Sequence, residues 1–579
     1  MAEILLSRGW LTPVRYWRLH AERTGMRLVD LSKELPEPEL LPLLPPEFCL
    51  KHNVLPWRRD RGQATFVTGR PDHIASLRRA LPLPFSKAHF VIAPEAEVAA
   101  AAARLSRQTL TKLAENRPHP RFSCRGWDKR SLRAKVALTS ALIALLFFAA
   151  FVPRMLFFAA VTWAIVTLAA ATALRVAALV AFARKPARAP PPASPAPLPR
   201  ISVMVPLFRE KEIARALIRR LTRLTYPRAL LEVVLVLEET DTVTHDTIAR
   251  TILPKWMRVV VVPDGAGLTT KPRALNYALD FCKGDIIGIW DAEDAPAPDQ
   301  LEQVAAHFAA APKEVACLQG ILDFYNPDTN WISRCFAVEY ATWFRIILPG
   351  LANLKLAIPL GGTTLFLRRD AIEQAGGWDA HNVTEDADLG YRLARFGFRT
   401  ELIQTVTMEE ANCRPIAWIR QRSRWLKGYM VTYLVHMRDP VRLWHDLGPR
   451  QFCGFQLVFL TTLSQFFLAP LLWVVWAAAF AQIAPPLGSG AFAVPAWLTI
   501  ALLLSSGSNL TAWIAAAAHS GRKRLIVWVP TMVLYFPLAT FAAYKGLIEL
   551  LVAPYYWDKT EHGKTAEATD LVHNAHATD

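Results

Sequence analysis

The chain has 579 residues, 53% of them hydrophobic, and carries 66 lysines and arginines against 49 aspartates and glutamates, a formal net charge of +17. That length is too great for one domain, and the long apolar runs after residue 135 and after residue 452 exclude a wholly water-soluble protein. Much of the positive excess flanks apolar stretches, at 104–135, 175–200 and 522–524. It reads as cytosolic membrane border and lipid headgroup contact, and no nucleic acid partner is expected. Seven cysteines are scattered without a Cys-x-x-Cys pair, so neither a zinc site nor a disulfide framework is expected, and a reduced cytosolic setting fits. Met1 to Arg23 lacks the uninterrupted apolar core of a cleavable signal.

Residues 1–107 read as a small α/β domain. Leu11 to Gly25 is a predicted helix, Glu37 to Pro45 a proline-punctuated helix and turn, and Gln63 to Thr68 a strand. A second helix starts at Pro71, a second strand covers Ala88 to Ala93, and an alanine-rich helix covers Glu95 to Leu105. Ser7–Thr12, Leu43–Pro45, Gly69–Asp72 and Val91–Pro94 make this region similar to the N-terminal domain of type II secretion and pilus-assembly ATPases. Some members of that family bind cyclic di-GMP through a repeated motif. At most one degenerate copy is present here, around Ile4 to Thr24, so the resemblance leaves two readings: a cyclic di-GMP site, or docking of a secretion partner. The rest of the chain is no such ATPase. Its one Gly-Lys-Thr, at 563–565, has Asp558 where a phosphate loop needs its first glycine.

Residues 108–134 read as a basic linker, and 135–183 as a transmembrane hairpin whose spans, Ala137–Phe151 and Met155–Val180, are split by Val152–Arg154. Residues 184–200 form a proline-rich extended linker.

From 201 to 430 strand and helix alternate. Ile201–Val205, Leu231–Leu237, Val259–Val262 and Asp285–Trp290 are apolar, β-branched runs bounded by turn residues, with helices at Glu212–Leu224 and Leu275–Phe281. Such runs are buried parallel strands, and the alternation implies a doubly wound, mostly parallel α/β sheet. Ligands in these sheets sit beyond the carboxyl ends of the strands. Those ends carry Pro206–Glu210, Glu238–Glu239 and the acidic run Asp291–Ala292–Glu293–Asp294. Three carboxylates in four residues repel one another, and a divalent cation bridging to phosphates would neutralise them, although a solvated turn is the plain alternative.

Pro415 to Met430 reads as an amphipathic helix on which Gln421, Arg424 and Trp425, at i, i+3 and i+4, are neighbours. An amide, a guanidinium and an indole on one patch suit a pyrophosphate and a flat sugar ring, while an interfacial helix anchored by Trp and Arg is the competing reading.

With these motifs, residues 201–430 resemble a family 2 glycosyltransferase of GT-A fold, of the processive kind found in bacterial cellulose, hyaluronan and chitin synthases. Val205–Glu210 matches the first strand and loop, where the nucleotide base lies, and Lys271–Asn276 matches a Lys-x-x-x-Leu-Asn segment. Asp291–Pro296 matches the Asp-x-Asp element, Gly361–Thr363 with Phe366–Arg369 the acceptor-side strand, Thr384–Glu385–Asp386 the catalytic triplet, and Gln421–Arg424–Trp425 the signature of processive members.

The resemblance implies nucleotide-sugar contacts at Pro206, Phe208, Glu210, Glu238, Lys271 and Asp291. It implies Mg²⁺ or Mn²⁺ at Asp291, Glu293 and Asp294, and Asp386 as the base. Glu385, Gln421, Arg424 and Trp425 would face acceptor and pyrophosphate. In two places the chain departs from the pattern. The usual paired Asp after the second strand is Glu238–Glu239, and the second Asp of Asp-x-Asp is Glu293 with Asp294 beside it, leaving open which of those two holds the metal.

The C-terminal third holds further spans within 452–518. Residues 525–552 are apolar but contain Pro530, Pro537, Lys545 and Glu549, so they are expected to lie along or re-enter the membrane. The tail, 553–579, resembles the gating loop of cellulose synthases, with Lys559, Thr560 and His562 as its candidate contacts; a plain fifth span with a dispensable tail is the alternative. The expected protein is a multi-pass enzyme of the bacterial inner membrane with a cytosolic catalytic domain. It would polymerise a UDP-sugar into an exported β-linked exopolysaccharide. The rival readings are one sugar added to a lipid-linked acceptor, or an inactive scaffold recruiting a secretion partner through residues 1–107.

Overall fold

The computed structural model describes residues 12–556 apart from 61–62, 86–87, 128–135, scattered positions in 137–149, 185–196, 211–212, 266 and 484–494. The described chain forms two compact units. One comprises Met1–Arg117, Pro197–Ile218 and Thr225–Ala292; the other comprises Pro118–Ala196, Arg219–Leu224 and Glu293–Asp579.

The first unit starts with helix α1 (Pro13–Thr24), which ends where Gly25 takes φ +67°, a left-handed cap that suits glycine. Helix α2 (Pro46–His52) leads into a three-stranded sheet of β1 (Val54–Asp60), β2 (Gln63–Thr68) and, after helix α3 (Ile74–Ala80), β3 (His89–Ile92). β1 and β2 are antiparallel, and β2 and β3 parallel. The sequence reading missed β1 because Pro56, Arg58 and Arg59 break its apolar pattern; the register slips between Pro56 and Arg58. Helix α4 (Glu95–Leu105) follows. Helix α5 (Arg107–Asn116) then lies where a linker was expected, its Leu110 and Ala114 buried.

The same unit holds four parallel strands in the order β6-β5-β4-β7: β4 (Ile201–Leu207), β5 (Leu231–Glu238), β6 (Met257–Val262) and β7 (Ile286–Ile289). The strands fall on the apolar runs read from the sequence. Helix α6 (Thr242–Ala249) joins β5 to β6, and α7 (Lys271–Leu279) joins β6 to β7.

In the second unit the strand order is β10-β9-β11-β8, formed by β8 (Ala295–Pro296), β9 (Val315–Phe324), β10 (Leu365–Arg368) and β11 (Arg399–Glu409). β9 and β11 are parallel; β10 with β9 and β8 with β11 are antiparallel. Helices α8 (Gln300–Ala310) and α9 (Trp331–Thr342) flank β9 in sequence. Helix α10 (Glu385–Arg395) opens on the Thr-Glu-Asp triplet, and α11 (Pro415–His436) carries Gln421, Arg424 and Trp425. α11 runs six residues past the expected end at Met430, and its Trp418, Ser423, Leu426 and Lys427 are buried, so protein covers far more of it than a lipid-facing anchor would allow.

Two described helices, Pro153–Arg184 and Ala496–His519, are long and apolar enough to cross a membrane. Two bent pairs raise the count to four if each is one span: Pro440–Phe467 with Ala469–Ala479, bent by 68°, and Lys523–Tyr535 with Pro537–Val552, bent by 45°. Within the first half of the expected N-terminal hairpin, Ala137–Phe151, the positions 137–138, 141–142, 145–146 and 149 lie outside the described residues. The helix Pro440–Phe467 begins well before the span expected from 452, with a break at Gly448, where φ is +70°.

The basic loop after Ala496–His519 is tied to the sheet. Arg522 Nη1 lies 2.6 Å from Asp323 Oδ1 near the end of β9 and Arg522 Nη2 donates to the Phe324 carbonyl, while Arg345 holds the other oxygen of Asp323 at 2.9 Å.

Candidate active site

At the end of β4 the backbone turns sharply: Arg209 sits at φ +57°. This strained turn is held by the start of α6. The Arg209 N–H donates to Asp241 Oδ2 at 2.6 Å, and the Glu210 N–H donates to Thr244 Oγ1 at 2.9 Å. Asp241 is the N-cap of α6 and is buried. Sequence reasoning passed over Asp241 and Thr244, although Asp-Thr-x-Thr directly after a strand is a helix-start signature. Pro206, Phe208 and Glu210 are half-buried, and the Arg209 guanidinium lies 5.2 Å from the centroid of the Phe208 ring.

Glu238, the last residue of β5, is buried against Arg273, whose Nη1 donates to Glu238 Oε2 at 3.0 Å. Burial raises the Glu238 carboxyl to about 7, outweighing the opposing pull of Arg273. Lys271, at the start of α7, pairs with Asp291 at 2.5 Å. These two functional candidates, 20 residues apart, are thus direct partners. Asn276 of the Lys-x-x-x-Leu-Asn segment turns away from ligand duty: its Nδ2 donates to the Ala114 carbonyl in α5 at 2.9 Å.

In the second unit the two remaining acids of the 291–294 run have different surroundings. Asp294 is buried and accepts a hydrogen bond from Thr363, the threonine of the Gly-Gly-Thr at 361–363. Glu293 is half-buried, and its backbone carbonyl takes the Arg220 guanidinium at 2.6 Å. Among the described residues no group of three or more His, Cys, Asp or Glu side chains is arranged to hold a metal ion.

Three carboxylates crowd the first turn of α10, where the helix dipole favours negative charge. Glu385 is buried. Asp388 is fully buried between Arg392 Nε, at 2.6 Å, and His436 Nε2, at 3.1 Å. Asp386 is half-buried, with Oδ1 accepting the Ala387 N–H at 2.9 Å. Thr384, the N-cap residue, donates its N–H to Asn382 Oδ1, and Asn382 Nδ2 in turn donates to Thr432 Oγ1 of α11. Burial, reinforced by the Asp386 carboxylate, pushes the Tyr429 phenol above its ordinary range, so Tyr429 stays protonated beside that acid.

Further along α11, Gln421 is buried and its Oε1 accepts from Asn412 Nδ2 at 2.8 Å. Arg424 and Trp425 are half-buried. The Trp425 ring lies 6.1 Å from that of Tyr340 and 6.2 Å from that of Phe336, and the Arg422 guanidinium sits 4.7 Å over it. Arg422 is anchored by Glu339 at 2.6 Å, which also accepts from the Tyr535 hydroxyl at 2.7 Å. Arg422 and Glu339 were not singled out from the sequence; they fix the plane in which Trp425 lies. The tail residues Lys559, Thr560 and His562 lie outside the described residues. The described end of the chain packs near the triplet: Tyr555 stacks edge-on to His381 at 5.8 Å, and its hydroxyl donates to the Cys124 carbonyl.

Residues 199–428 match the model of the glycosyltransferase-like family 2, and residues 24–112 match the MshEN domain. Residues 199–428 are a family 2 glycosyltransferase domain. Its two sets of strands, the first wholly parallel and the second mixed, have the GT-A architecture, joined on the same chain to an N-terminal MshEN domain. The chain is 30% identical over 277 residues to the beta-monoglucosyldiacylglycerol synthase of Synechocystis, a match covering 46% of this chain and 56% of that protein. It is 28% identical over 322 residues to the cellulose synthase 1 catalytic subunit of Komagataeibacter xylinus, covering 53% and 41%. Among solved structures, the mannosyltransferase PcManGT of Pyrobaculum calidifontis, in complex with GDP-Man and Mn²⁺, aligns with a TM-score of 0.41 at 21% identity over 65% of this chain and 99% of that one. The chain spans about half the length of the first curated relatives it matches.

Proposed function

We propose that the chain is an inverting membrane glycosyltransferase that transfers sugar from a UDP-sugar to the end of a growing β-linked polysaccharide and couples that synthesis to export. The observation that carries this reading is the setting of Asp386. Of the acids at the head of α10 it is the half-buried one, Glu385 and Asp388 being buried, and it sits on a turn buttressed by α11, which also bears Gln421, Arg424 and Trp425. Asp386 takes the proton from the acceptor hydroxyl as that oxygen attacks the anomeric carbon and the UDP leaves. Gln421 and Arg424 hold the departing pyrophosphate, and Trp425 carries the acceptor ring on a face set by Arg422, Tyr340 and Phe336.

The half-buried acids Asp291 and Glu293 are the residues that would hold a divalent cation, while Asp294 is buried and accepts from the Thr363 hydroxyl. Bound Mg²⁺ or Mn²⁺ would supply charge neutralisation of the diphosphate. Before donor arrival, Lys271 balances Asp291. The gating role proposed for Lys559, Thr560 and His562 concerns residues outside the described ones; within the described chain, Tyr555 lies beside His381.

The match to beta-monoglucosyldiacylglycerol synthases favours a second reading, a single sugar added to a lipid acceptor. Product length from purified protein and a panel of UDP-sugars separates the two: long β-linked chains support polymerisation, and one addition to lipid supports the alternative. The MshEN domain is the proposed seat of cyclic di-GMP or of a secretion partner, and the inner membrane the proposed location.

A further inference from the structure

Helix α5 reaches the carboxyl ends of β5 and β6 through a chain of ion pairs. Arg107 grips Glu239 with both terminal nitrogens, at 2.9 and 2.5 Å. Glu239 Oε2 also accepts the Asp264 N–H at 2.9 Å, so Arg107, Glu239 and the loop after β6 form one assembly. One residue before the end of α5, Glu115 lies 3.4 Å from Arg273, the fully buried arginine that holds Glu238. Arg117 closes the helix onto α7 through Asp280, at 2.6 Å. The fit is tight: a Cβ placed on Gly265 would come within 2.3 Å of Glu115 Oε1 and 2.6 Å of Arg273 Nη2.

A linker has no need of this arrangement. Arg273 is 1% exposed, and burying a guanidinium is tolerable only when carboxylates meet it from more than one side. One of its two carboxylate partners comes from the glycosyltransferase strand, and the other from α5. The acidic pair that stands where the family usually has paired aspartates is therefore completed by a helix outside the family 2 match, at residues 107–116.

We infer that α5 is a positioning strut for the donor nucleotide: Arg107 and Glu115 set the placement of Glu239 and Glu238 and of the 263–265 turn, and so set the affinity for the UDP-sugar without touching the reacting atoms. This rests on the reading of the site given above.

Two measurements on the full-length protein test it. In Arg107→Ala, the KM for UDP-sugar should rise about fivefold, as expected for loss of a partly exposed bidentate pair, with kcat within about twofold of the parent. Arg107→Glu should raise it further, and Arg107→Glu combined with Glu239→Arg should recover part of the loss. Amide exchange at Asp264 should quicken in Arg107→Ala whether or not sugar transfer is observed, so this readout separates failure of the strut from failure of the proposed reaction. Unchanged exchange at Asp264, or a fall in kcat at constant KM, overturns the inference.

Discussion

Gly428 of α11 approaches Thr384 so closely that a Cβ built on the glycine would stand 2.1 Å from the threonine Oγ1 and 2.3 Å from its Cγ2. Real Cβ atoms do not tolerate such distances, so α11, which carries Gln421, Arg424 and Trp425, can lie against the 384–386 triplet only because residue 428 has no side chain. Gly428→Ala should push Thr384 and the start of α10 aside. We expect a loss of stability of about 1–3 kcal/mol by denaturant unfolding and a drop in kcat of at least tenfold. Unaltered turnover would mean that the spacing of α10 and α11 is not part of catalysis.

Asp386 and Asp388, two residues apart, should respond in opposite ways. Asp386→Asn should remove transfer while UDP binding and melting temperature stay near parental. Asp388→Asn breaks a buried pair with Arg392 and a contact with His436, and should destabilise the protein by about 3–5 kcal/mol. Full activity in Asp386→Asn would transfer the base role elsewhere.

The Glu238 carboxyl makes stability depend on pH. Its value in the folded chain is about 7, against an ordinary 4.5. The folded form therefore holds its proton more tightly than the unfolded form. This group's contribution is complete below 4.5 and is lost as pH rises towards 7. Arg273, Asp264 and Asp241 are the charged groups acting on it. Melting temperature measured from pH 5 to pH 8 should fall less in Glu238→Gln than in the parent; parallel profiles would remove Glu238 as the source.

Because Arg522 is paired with Asp323 at β9, the 519–524 loop shares the side of the sheet in any membrane. A cysteine placed at Lys523 should resist membrane-impermeant labelling from outside intact cells, and so should one at Lys559 if the tail returns to the same side. External labelling at 559 alone would make the apolar segment 525–552 a plain crossing.

Much of the first unit's parallel sheet was legible in the linear chain. Strands β4 to β7 are continuous β-branched runs, and a buried parallel strand needs no partner-specific information to be recognised. The 384–386 triplet and the 421–425 spacing are likewise local, since the helical repeat alone makes Gln421, Arg424 and Trp425 neighbours. Other features were invisible because they depend on pairings across long stretches of chain. Arg107 and Glu239 are 132 residues apart, and Asp294 and Thr363 are 69. Helix α5, polar on most of its surface, looks like linker until its partners are present. The sequence by itself determined which residue types stand at each strand end and helix start. Only the tertiary structure decided which carboxylates are spent on burial, as Asp388 and Asp294 are, and which, as Asp386 and Glu293, keep an accessible edge, because desolvation and ion pairing are properties of neighbours brought together by the fold.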